Sequence, residues 1–360
     1  MRNLALIAFT REGCTLAAEL ARDLSAGCEH AGAACSVAGP ARFAADAGID
    51  AYESLAAWTA EHFERDDALV FVGATGIAVR AIAPHVRDKF SDPAVVSVDE
   101  AGRFAVPLLS GHVGGANELA RAIADITGGQ AVVSTATDVN GLFAVDEWAA
   151  RHNLAIVERA VAKEVSADLL EGRPIGCASD FGLPADLPAG IVDVSRDDLA
   201  TCPEIGFTVS LDDTAAPFAR TLHLVPRAAT IGVGCRRGAA TAVLEAAVRE
   251  ALDSAHISAQ AVTTLASIDV KRDEVAIGEL AEKMGWVTKF YTADELVAVP
   301  GAFSHSDFVE RTVGVGNVCE RAACAGGGAL VVKKQSKDGV TVAVAIDEAA
   351  LDSSDWRMHG

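Results

Sequence analysis

The sequence predicts an α/β protein built from two βαβ-type domains with mainly parallel sheets, joined by a small irregular middle segment. Apolar runs of four to eight residues, such as residues 68–73 and 329–332, are flanked by glycine or charge, which is typical of buried parallel strands. They alternate with Ala/Leu-rich stretches of helical spacing. Five of the eleven prolines fall between residues 151 and 225 and interrupt this alternation.

Taken in order, strands are expected at residues 3–9, 68–72 and 131–134, with helices at 12–24 and 116–126. Residues 94–98 and 103–108 resemble a strand pair joined by the acidic turn 99–102. These elements predict an N-terminal α/β domain over residues 1–145 and a middle segment over residues 146–222. A new strand–turn–helix pattern at 230–252 and a strand near 339–346 predict a C-terminal α/β domain over residues 223–360.

Composition excludes several functional classes. Of the 360 residues 51% are apolar and 22% are charged, which excludes wholesale disorder. The apolar runs are far shorter than the ~20 residues of a membrane span, and the first one is too short for a signal peptide, so we expect a cytoplasmic protein without a membrane partner. The net charge of −20 argues against nucleic acid but not against a small anion in a local basic pocket.

The eight cysteines are scattered without a CxxC pair. Cys319 and Cys324 are the nearest approach to a metal motif, and no histidine pair accompanies them. We therefore expect reduced cysteines that serve as small apolar residues, and no metal site in the protein.

The first candidate motif spans residues 71–80, where a strand leads into a glycine-rich turn and a helix. Such a turn offers N–H groups to an anion, and basic residues follow it. The alternative is an ordinary tight turn. Neither a Walker sequence nor GxGxxG is present, which disfavours a nucleotide-dependent enzyme. The candidate ligand-binding residues here are Gly73, Thr75, Gly76, Arg80 and Lys89.

The second motif, residues 107–118, places a hydroxyl, an imidazole and a carboxamide after another strand. His112 is suited to act as a general base near neutral pH, or alternatively to form part of a helix cap. Ser110 does not stand in a GxSxG elbow, so it is not expected to be a nucleophile, although it is included among the candidate catalytic residues. Gly114, Gly115 and Asn117 are candidate substrate contacts.

The third motif, residues 134–141, follows the next predicted strand. Thr135 and Thr137 are candidate contacts to ligand carboxylates or amides, and Asp138 is a candidate to orient His112. The alternative is a helix N-cap and turn built from the residues that such caps prefer.

In the C-terminal domain, a glycine-containing turn carries two adjacent guanidiniums, which suit carboxylates because arginine binds them bidentately. Lys271 is either a further carboxylate contact or a surface charge. Residues 314–321 form another glycine-rich turn before an Ala-rich helix. Several such turns indicate a large polyanionic ligand. The candidate contacts are Gly234, Arg236, Arg237 and Lys271.

Taken together, these segments resemble one family. VGATGIAVR, PLLSGHVGGANELA and STATDVNG resemble the N-terminal half of CbiG-type cobalt-precorrin-5A hydrolases. GVGCRRG, ASIDVKRDE, GVGNVCERAA and LVVKKQ resemble the domain that this family shares with CobE-type proteins. The resemblance covers nearly the whole chain in the expected order. It departs from the family at Asn317, where a Ser-like residue is expected, and at Cys319, which replaces a smaller residue.

The resemblance implies a cobalt-chelated, ring-contracted tetrapyrrole substrate with acetate and propionate arms. It implies opening of a δ-lactone and release of acetaldehyde to give cobalt-precorrin-5B in anaerobic cobalamin (vitamin B12) biosynthesis. Cobalt then arrives inside the substrate, and no further cofactor is expected. Whether the protein forms a homo-oligomer or contacts neighbouring pathway enzymes stays open.

The mechanism expected from these residues has water, activated by His112, attack the lactone carbonyl. N–H groups near Gly73–Gly76 or Gly114–Gly115 stabilise the oxyanion. Asp138, or the pair Asp99 and Glu100, orients the base. The substrate carboxylates are held by Arg80, Lys89, Arg236, Arg237 and Lys271.

Two alternatives remain from the sequence. One is a non-catalytic carrier that binds a labile corrinoid intermediate and releases no acetaldehyde. The other is an aldolase-like enzyme that uses Lys271 or Lys163 as a Schiff-base amine, which borohydride would trap.

Overall fold

A computed structural model describes residues 3–26, 34–88, 91–112, 114–135, 140–183, 186–194 and 202–351. The chain divides into two compact units, of which the first ends at Glu147 and the second begins at Trp148. The described strands form three sheets, each mainly parallel, which confirms the predicted α/β class.

The first unit is built on a seven-stranded sheet of order β3-β2-β1-β4-β5-β6-β7. Neighbouring strands are parallel except β5 and β6, which are antiparallel. The strands are β1 Asn3–Ala8, β2 Ala34–Gly39, β3 Asp50–Ala51, β4 Ala68–Val72, β5 Ala94–Val98, β6 Phe104–Leu109 and β7 Gln130–Ala131. The helices are α1 Arg11–Ala26, α2 Ala41–Ala47, α3 Leu55–Arg65, α4 Thr75–Ile82 and α5 Ala116–Thr127, and α6 Val145–Arg151 begins at the end of this unit.

Both faces of this sheet are covered, because alternate residues of its central strands are buried on opposite sides. On one face, Leu4 and Leu6 pack in a cluster with residues of α1 and α5 such as Leu20 and Leu119. On the other face, a second cluster contains residues of α3 and α4. Continuous apolar runs were therefore the correct signal for these strands.

The middle of the chain, predicted to be irregular because of its prolines, forms a regular sheet. Residues 154–226 form a five-stranded sheet of order β10-β9-β11-β12-β8, in which only β8 is antiparallel. Four of the five prolines lie in the connections between strands, where no ladder hydrogen bond is needed. The strands are β8 Leu154–Ile156, β9 Ile175–Ser179, β10 Ile191–Asp193, β11 Ile205–Val209 and β12 Arg220–Pro226, with helix α7 at Arg159–Leu170.

The third sheet has the order β15-β14-β13-β17-β16, with β13, β14 and β15 parallel and β16–β17 an antiparallel hairpin. Asp338 and Gly339 both have positive φ, as a two-residue hairpin turn requires. The strands are β13 Ala229–Cys235, β14 Val262–Ile268, β15 Val287–Tyr291, β16 Ala329–Lys337 and β17 Val340–Ile346. The helices are α8 Thr241–Ser254, α9 Val275–Met284, α10 Ala293–Ala298, α11 Asp307–Val313 and α12 Cys319–Cys324.

Candidate functional site

The direction of β6 separates the first two sequence motifs. The glycine turn at Gly73 follows the carboxyl end of β4. Because β6 runs antiparallel to β5, with Leu109 opposite Val95, the turn that follows β6 lies at the other edge of the sheet. The five residues of β5 span about 16 Å. Gly73–Gly76 therefore do not lie beside His112, and the expectation that they stabilise its oxyanion is wrong.

The sequence contained a signal for this arrangement. Parallel strands need a crossover of about a dozen residues or more, whereas only residues 99–103 connect β5 to β6. The predicted acidic turn already implied a hairpin. Asp99 and Glu100 lie in it, at the Gly73 edge, so they are also not the carboxylates that orient His112.

The β6–α5 turn is closed by its own backbone. Gly115 N donates to the His112 carbonyl (2.9 Å), Ala116 N to the Ser110 carbonyl (3.1 Å) and Asn117 N to the Gly111 carbonyl (3.0 Å). A side chain at Gly111 would contact the Asn117 carboxamide at 2.8 Å, so glycine permits the close approach. The predicted strand and helix are both present, and the imidazole belongs to the hydrogen-bonded turn between them.

Ser110 holds this turn to the sheet. Its side chain is buried, and its Oγ donates to the Asp92 carbonyl at 2.9 Å, just before β5 begins. Its φ of +56° is rare for a residue other than glycine. The contact assigns the hydroxyl to positioning, which agrees with the absence of a nucleophile elbow.

His112 faces the carboxylate of Asp146, a residue that none of the sequence motifs includes. The Nδ1 atom of His112 lies 3.4 Å from Oδ1 of Asp146, and the two side chains are 17% and 10% exposed. Asp146 lies in the first turn of α6, where an acidic residue is favoured by the helix dipole. The only indication of this role in the sequence is that Asp146 follows shortly after the third motif. A half-buried imidazole beside a buried carboxylate is an arrangement suited to general-base chemistry.

The third motif lies at the same edge as His112. The Asn117 side chain donates from Nδ2 to Thr135 Oγ1 at 3.2 Å, which joins the start of α5 to the segment after β7. Two predicted residues of this motif, Thr137 and Asp138, lie outside the described residues. Thus Asp146 is the carboxylate that the described structure places beside the base.

The opposite edge of the first sheet holds the Gly73 turn. Gly73 N donates to the Val98 carbonyl (2.7 Å), and Thr75 Oγ1 lies 3.1 Å from Ser97 Oγ. Gly76 is exposed, and its carbonyl accepts a hydrogen bond from Arg80 at 2.9 Å. Lys89 lies outside the described residues. This edge has the predicted strand–turn–helix form and exposes the start of α4.

The parallel strands of the third sheet bring the predicted C-terminal cations to one edge. Arg236 and Arg237 follow β13 and are exposed, and Lys271 follows β14. Glu274, which the sequence reading did not single out, connects the two loops. It accepts from Gly238 N at 2.6 Å and from Lys271 Nζ at 3.2 Å.

Burial raises the energy of the Glu274 carboxylate, but the Gly238 N–H group and the Lys271 ammonium outweigh that effect. They hold the pKa of this carboxyl below its ordinary value. A charged Glu274 thus ties together the loops that carry the candidate substrate contacts.

Two glycines of the C-terminal motif differ in role from the expected anion turn. Gly234 belongs to β13, where its carbonyl accepts from Thr341 Oγ1 of β17 at 3.2 Å. A Cβ at Gly232 would lie 1.9 Å from the Cys319 carbonyl, so this glycine allows α12 to pack on the sheet. The turn proper begins at Arg236.

The GVGNVCERAA segment contains a buried polar network. The Glu320 carboxylate accepts from the N–H groups of Ser304 (2.7 Å) and Lys334 (2.8 Å) and from the Asn317 side chain (2.9 Å). Asn317 and Glu320 are each 1% exposed. This residue set fastens the segment before α12 to β16.

One surface cluster of the second unit has the spacing of metal ligands. Among the described residues, one group of three side chains has metal-ligand spacing, and all three are exposed on or beside α11: His305, Asp307 and Glu310. Exposed acidic groups of this kind are common without an ion. Within the described ranges, no helix combines the length and apolar character that crossing a membrane requires.

Comparison with known proteins covers all three parts of the chain. Family models described as cobalamin synthesis G N-terminal, cobalamin biosynthesis central region and cobalamin synthesis G C-terminus match residues 57–138, 143–226 and 229–345. The chain is 35% identical to a cobalt-precorrin-5A hydrolase of Salmonella typhimurium, over 78% of this chain and 82% of that protein. It is 31% identical to a cobalt-precorrin-5A hydrolase of Priestia megaterium, over 79% of each. The chain belongs to the CbiG family of cobalt-precorrin-5A hydrolases.

Proposed function

We propose that this protein hydrolyses cobalt-precorrin-5A, opening its δ-lactone and releasing acetaldehyde to give cobalt-precorrin-5B. Membership of the family supports the reaction, and the placement of His112 3.4 Å from Asp146 is the observation in the fold that carries it. Cobalt belongs to the substrate in this proposal, and no other cofactor takes part.

The first step is an attack of water on the lactone carbonyl. His112 takes a proton from the water, and Asp146 stabilises the resulting imidazolium. The sequence predicted that the N–H groups of Gly114 and Gly115 stabilise the oxyanion. The Gly115 N–H already donates to the His112 carbonyl within the turn, so we assign the oxyanion to the Gly114 N–H. Collapse of the tetrahedral intermediate breaks the ring C–O bond, and the leaving oxygen takes up the proton from His112. The products of this step are a carboxyl group and a free hydroxyl.

The second step is a retro-aldol-like cleavage. The new hydroxyl loses its proton, its C–O bond becomes a carbonyl, and the carbon–carbon bond to the macrocycle breaks. The bonding electrons remain on the macrocycle, which takes up a proton. The extruded carbon and its methyl group leave as acetaldehyde, so atoms and electrons balance without an oxidant or reductant.

The third-sheet edge is our candidate for gripping substrate carboxylates. Arg236 and Arg237 are exposed at the end of β13. Glu274 accepts hydrogen bonds from Lys271 and from Gly238, and so it holds Lys271 near the loop that carries the two arginines. The same contact disfavours Lys271 as the Schiff-base amine of the aldolase alternative, because its Nζ is already engaged by Glu274. We place the enzyme in the cytoplasm, which fits the free thiols of the seven described cysteines.

The test is an anaerobic incubation of the purified protein with cobalt-precorrin-5A, followed by an assay for acetaldehyde and mass analysis of the corrinoid. Release of acetaldehyde with a corrinoid lighter by the matching fragment supports the proposal. Tight binding of the corrinoid without acetaldehyde would establish the carrier instead. A substrate adduct trapped on the protein by borohydride would establish the aldolase-like mechanism.

A further inference from the structure

The second unit contains a cavity of about 490 Å³ away from the proposed substrate edge. It lies between the end of α8, the end of α9 and the loop that follows β11. Ser258, in its wall, precedes the amino end of β14, whereas Lys271 follows the carboxyl end of that strand. The seven residues of β14 place the two about 23 Å apart along the sheet.

The floor of the cavity is apolar. Leu252, Leu280 and Trp286 line it and are themselves buried, and Met284 lies beside them, half-buried. A cavity of a few hundred Å³ with an apolar floor and a few polar groups has the size and character of a small-molecule site. The floor therefore favours a ligand with an apolar body.

The wall is acidic. The side chains that line the cavity include four carboxylates, one guanidinium and the imidazole of His256. Glu245 is neutralised by Lys283 at 2.7 Å and Arg249 at 3.3 Å. Within the part of the chain that the structure describes, no lysine or arginine forms an ion pair with the three remaining carboxylates, which are Asp212, Asp213 and Asp253. The nearest basic group is the exposed imidazole of His256, whose Nδ1 lies 3.8 Å from Asp212 Oδ2.

Two of these carboxylates are fixed in place by the chain. Asp212 accepts from the Thr214 hydroxyl (2.7 Å) and N–H group (2.8 Å), which hold the pKa of its carboxyl below its ordinary value. Asp213 accepts from Ser258 Oγ at 2.6 Å. Asp253 is exposed on the last turn of α8. Ordered carboxylates over an apolar floor favour a cation and repel the polycarboxylate substrate.

We propose that this cavity, whose lining includes none of the residues assigned to hydrolysis, binds an organic monocation with a flat apolar body. The apolar body packs on Leu252, Leu280 and Trp286, where an aromatic face adds attraction for a nearby ammonium. The ammonium is held by Asp212 and Asp253. No corrinoid is involved, so this binding is independent of the proposed hydrolysis.

The test uses three indole probes of similar shape and different charge, titrated calorimetrically into the full chain. Tryptamine is cationic, tryptophol is neutral and indole-3-propionate is anionic. We expect tryptamine to bind at one site per chain, tryptophol to bind at least about threefold more weakly, and indole-3-propionate not to bind. Equal affinity for all three probes, or no binding of tryptamine, would overturn the proposal.

Variants locate the site. We expect Asp253→Asn to weaken tryptamine binding by about three- to tenfold and to leave tryptophol unchanged. Glu250→Gln is the matched control, since it removes the same charge from the same helix but Glu250 does not line this cavity. Met284→Lys, checked for folding by circular dichroism, supplies an internal cation and should abolish tryptamine binding. If Asp253→Asn and Glu250→Gln lower the affinity for tryptamine equally, the effect is that of net charge alone and the proposed site is wrong.

Discussion

The Nδ1 atom of His112 lies 3.4 Å from Oδ1 of Asp146, although 33 positions of the chain separate them. The imidazole belongs to the β6–α5 turn and the carboxylate to the first turn of α6. Neither the turn that carries His112 nor the helix that carries Asp146 indicates a catalytic pair by itself. Their proximity gives the proposed hydrolysis a specific base and a specific partner for that base.

Replacing His112 by glutamine is expected to lower kcat for acetaldehyde release by about 10²–10⁴-fold, because the water is no longer deprotonated. The measurement is the rate of acetaldehyde formation from cobalt-precorrin-5A at saturation. His305→Gln is the control, since this exposed histidine lies in the second unit and should leave the rate unchanged. Turnover of His112→Gln within a few-fold of the unmodified protein would contradict the assignment.

Asp146→Asn should reduce kcat less than His112→Gln does, because the base is kept and only its stabilisation is lost. The acidic limb of the profile of kcat/KM against pH should also move to lower pH. A carboxylate favours the protonated imidazole, so its removal lets His112 lose its proton at a lower pH. Rates measured across that limb check the prediction. A lower rate with an unmoved profile would indicate a purely structural role for Asp146.

Arg236→Gln and Arg237→Gln are expected to raise KM by about tenfold each while kcat stays nearly constant, because the lost contacts hold carboxylates in both the ground state and the transition state. Steady-state kinetics on cobalt-precorrin-5A separates the two constants. Arg22→Gln on α1 removes an exposed arginine from the other unit and serves as the control. A fall in kcat with unchanged KM would contradict the role of these arginines in substrate binding.

Glu274→Gln should change how stability depends on pH. The folded-state pKa of this carboxyl lies below its ordinary value of 4.5, so its stabilisation is present above pH 4.5 and is lost as pH falls through the folded-state pKa. Denaturant unfolding followed by circular dichroism at several pH values measures this. The variant should be less stable at pH 7 and should lose less stability between pH 5 and pH 3. The control is Glu282→Gln, because Glu282 is exposed on α9, the helix that begins directly after Glu274.

Two glycine substitutions should have opposite effects on stability. Gly232→Ala forces a methyl group into the Cys319 carbonyl, and we expect a loss of about 1–3 kcal/mol or more. Gly278 lies in α9 with nothing within 4 Å of an added Cβ, so Gly278→Ala should gain about 0.5–1 kcal/mol. Free energies of unfolding from denaturant titration test both. Equal effects would contradict the packing of α12 against β13.

The sequence by itself determined the α/β class, the local strand–turn–helix units and the family. Apolar runs and glycine turns are properties of contiguous residues, so the β4–α4 and β6–α5 turns were predicted close to where they occur. The sheet between residues 154 and 226 was hidden because prolines interrupt the pattern, although four of the five between residues 151 and 225 lie in connections between its strands.

The tertiary structure alone decided which motifs meet. The short connection of residues 99–103 already implied that β5 and β6 are antiparallel, and their pairing in the structure confirms that His112 and Gly73 lie at opposite edges. The contacts of Asp146 with His112 and of Glu274 with Gly238 and Lys271 likewise depend on chain segments that folding brings together. Contacts between distant residues follow from how side chains pack in the folded chain, which no local pattern specifies.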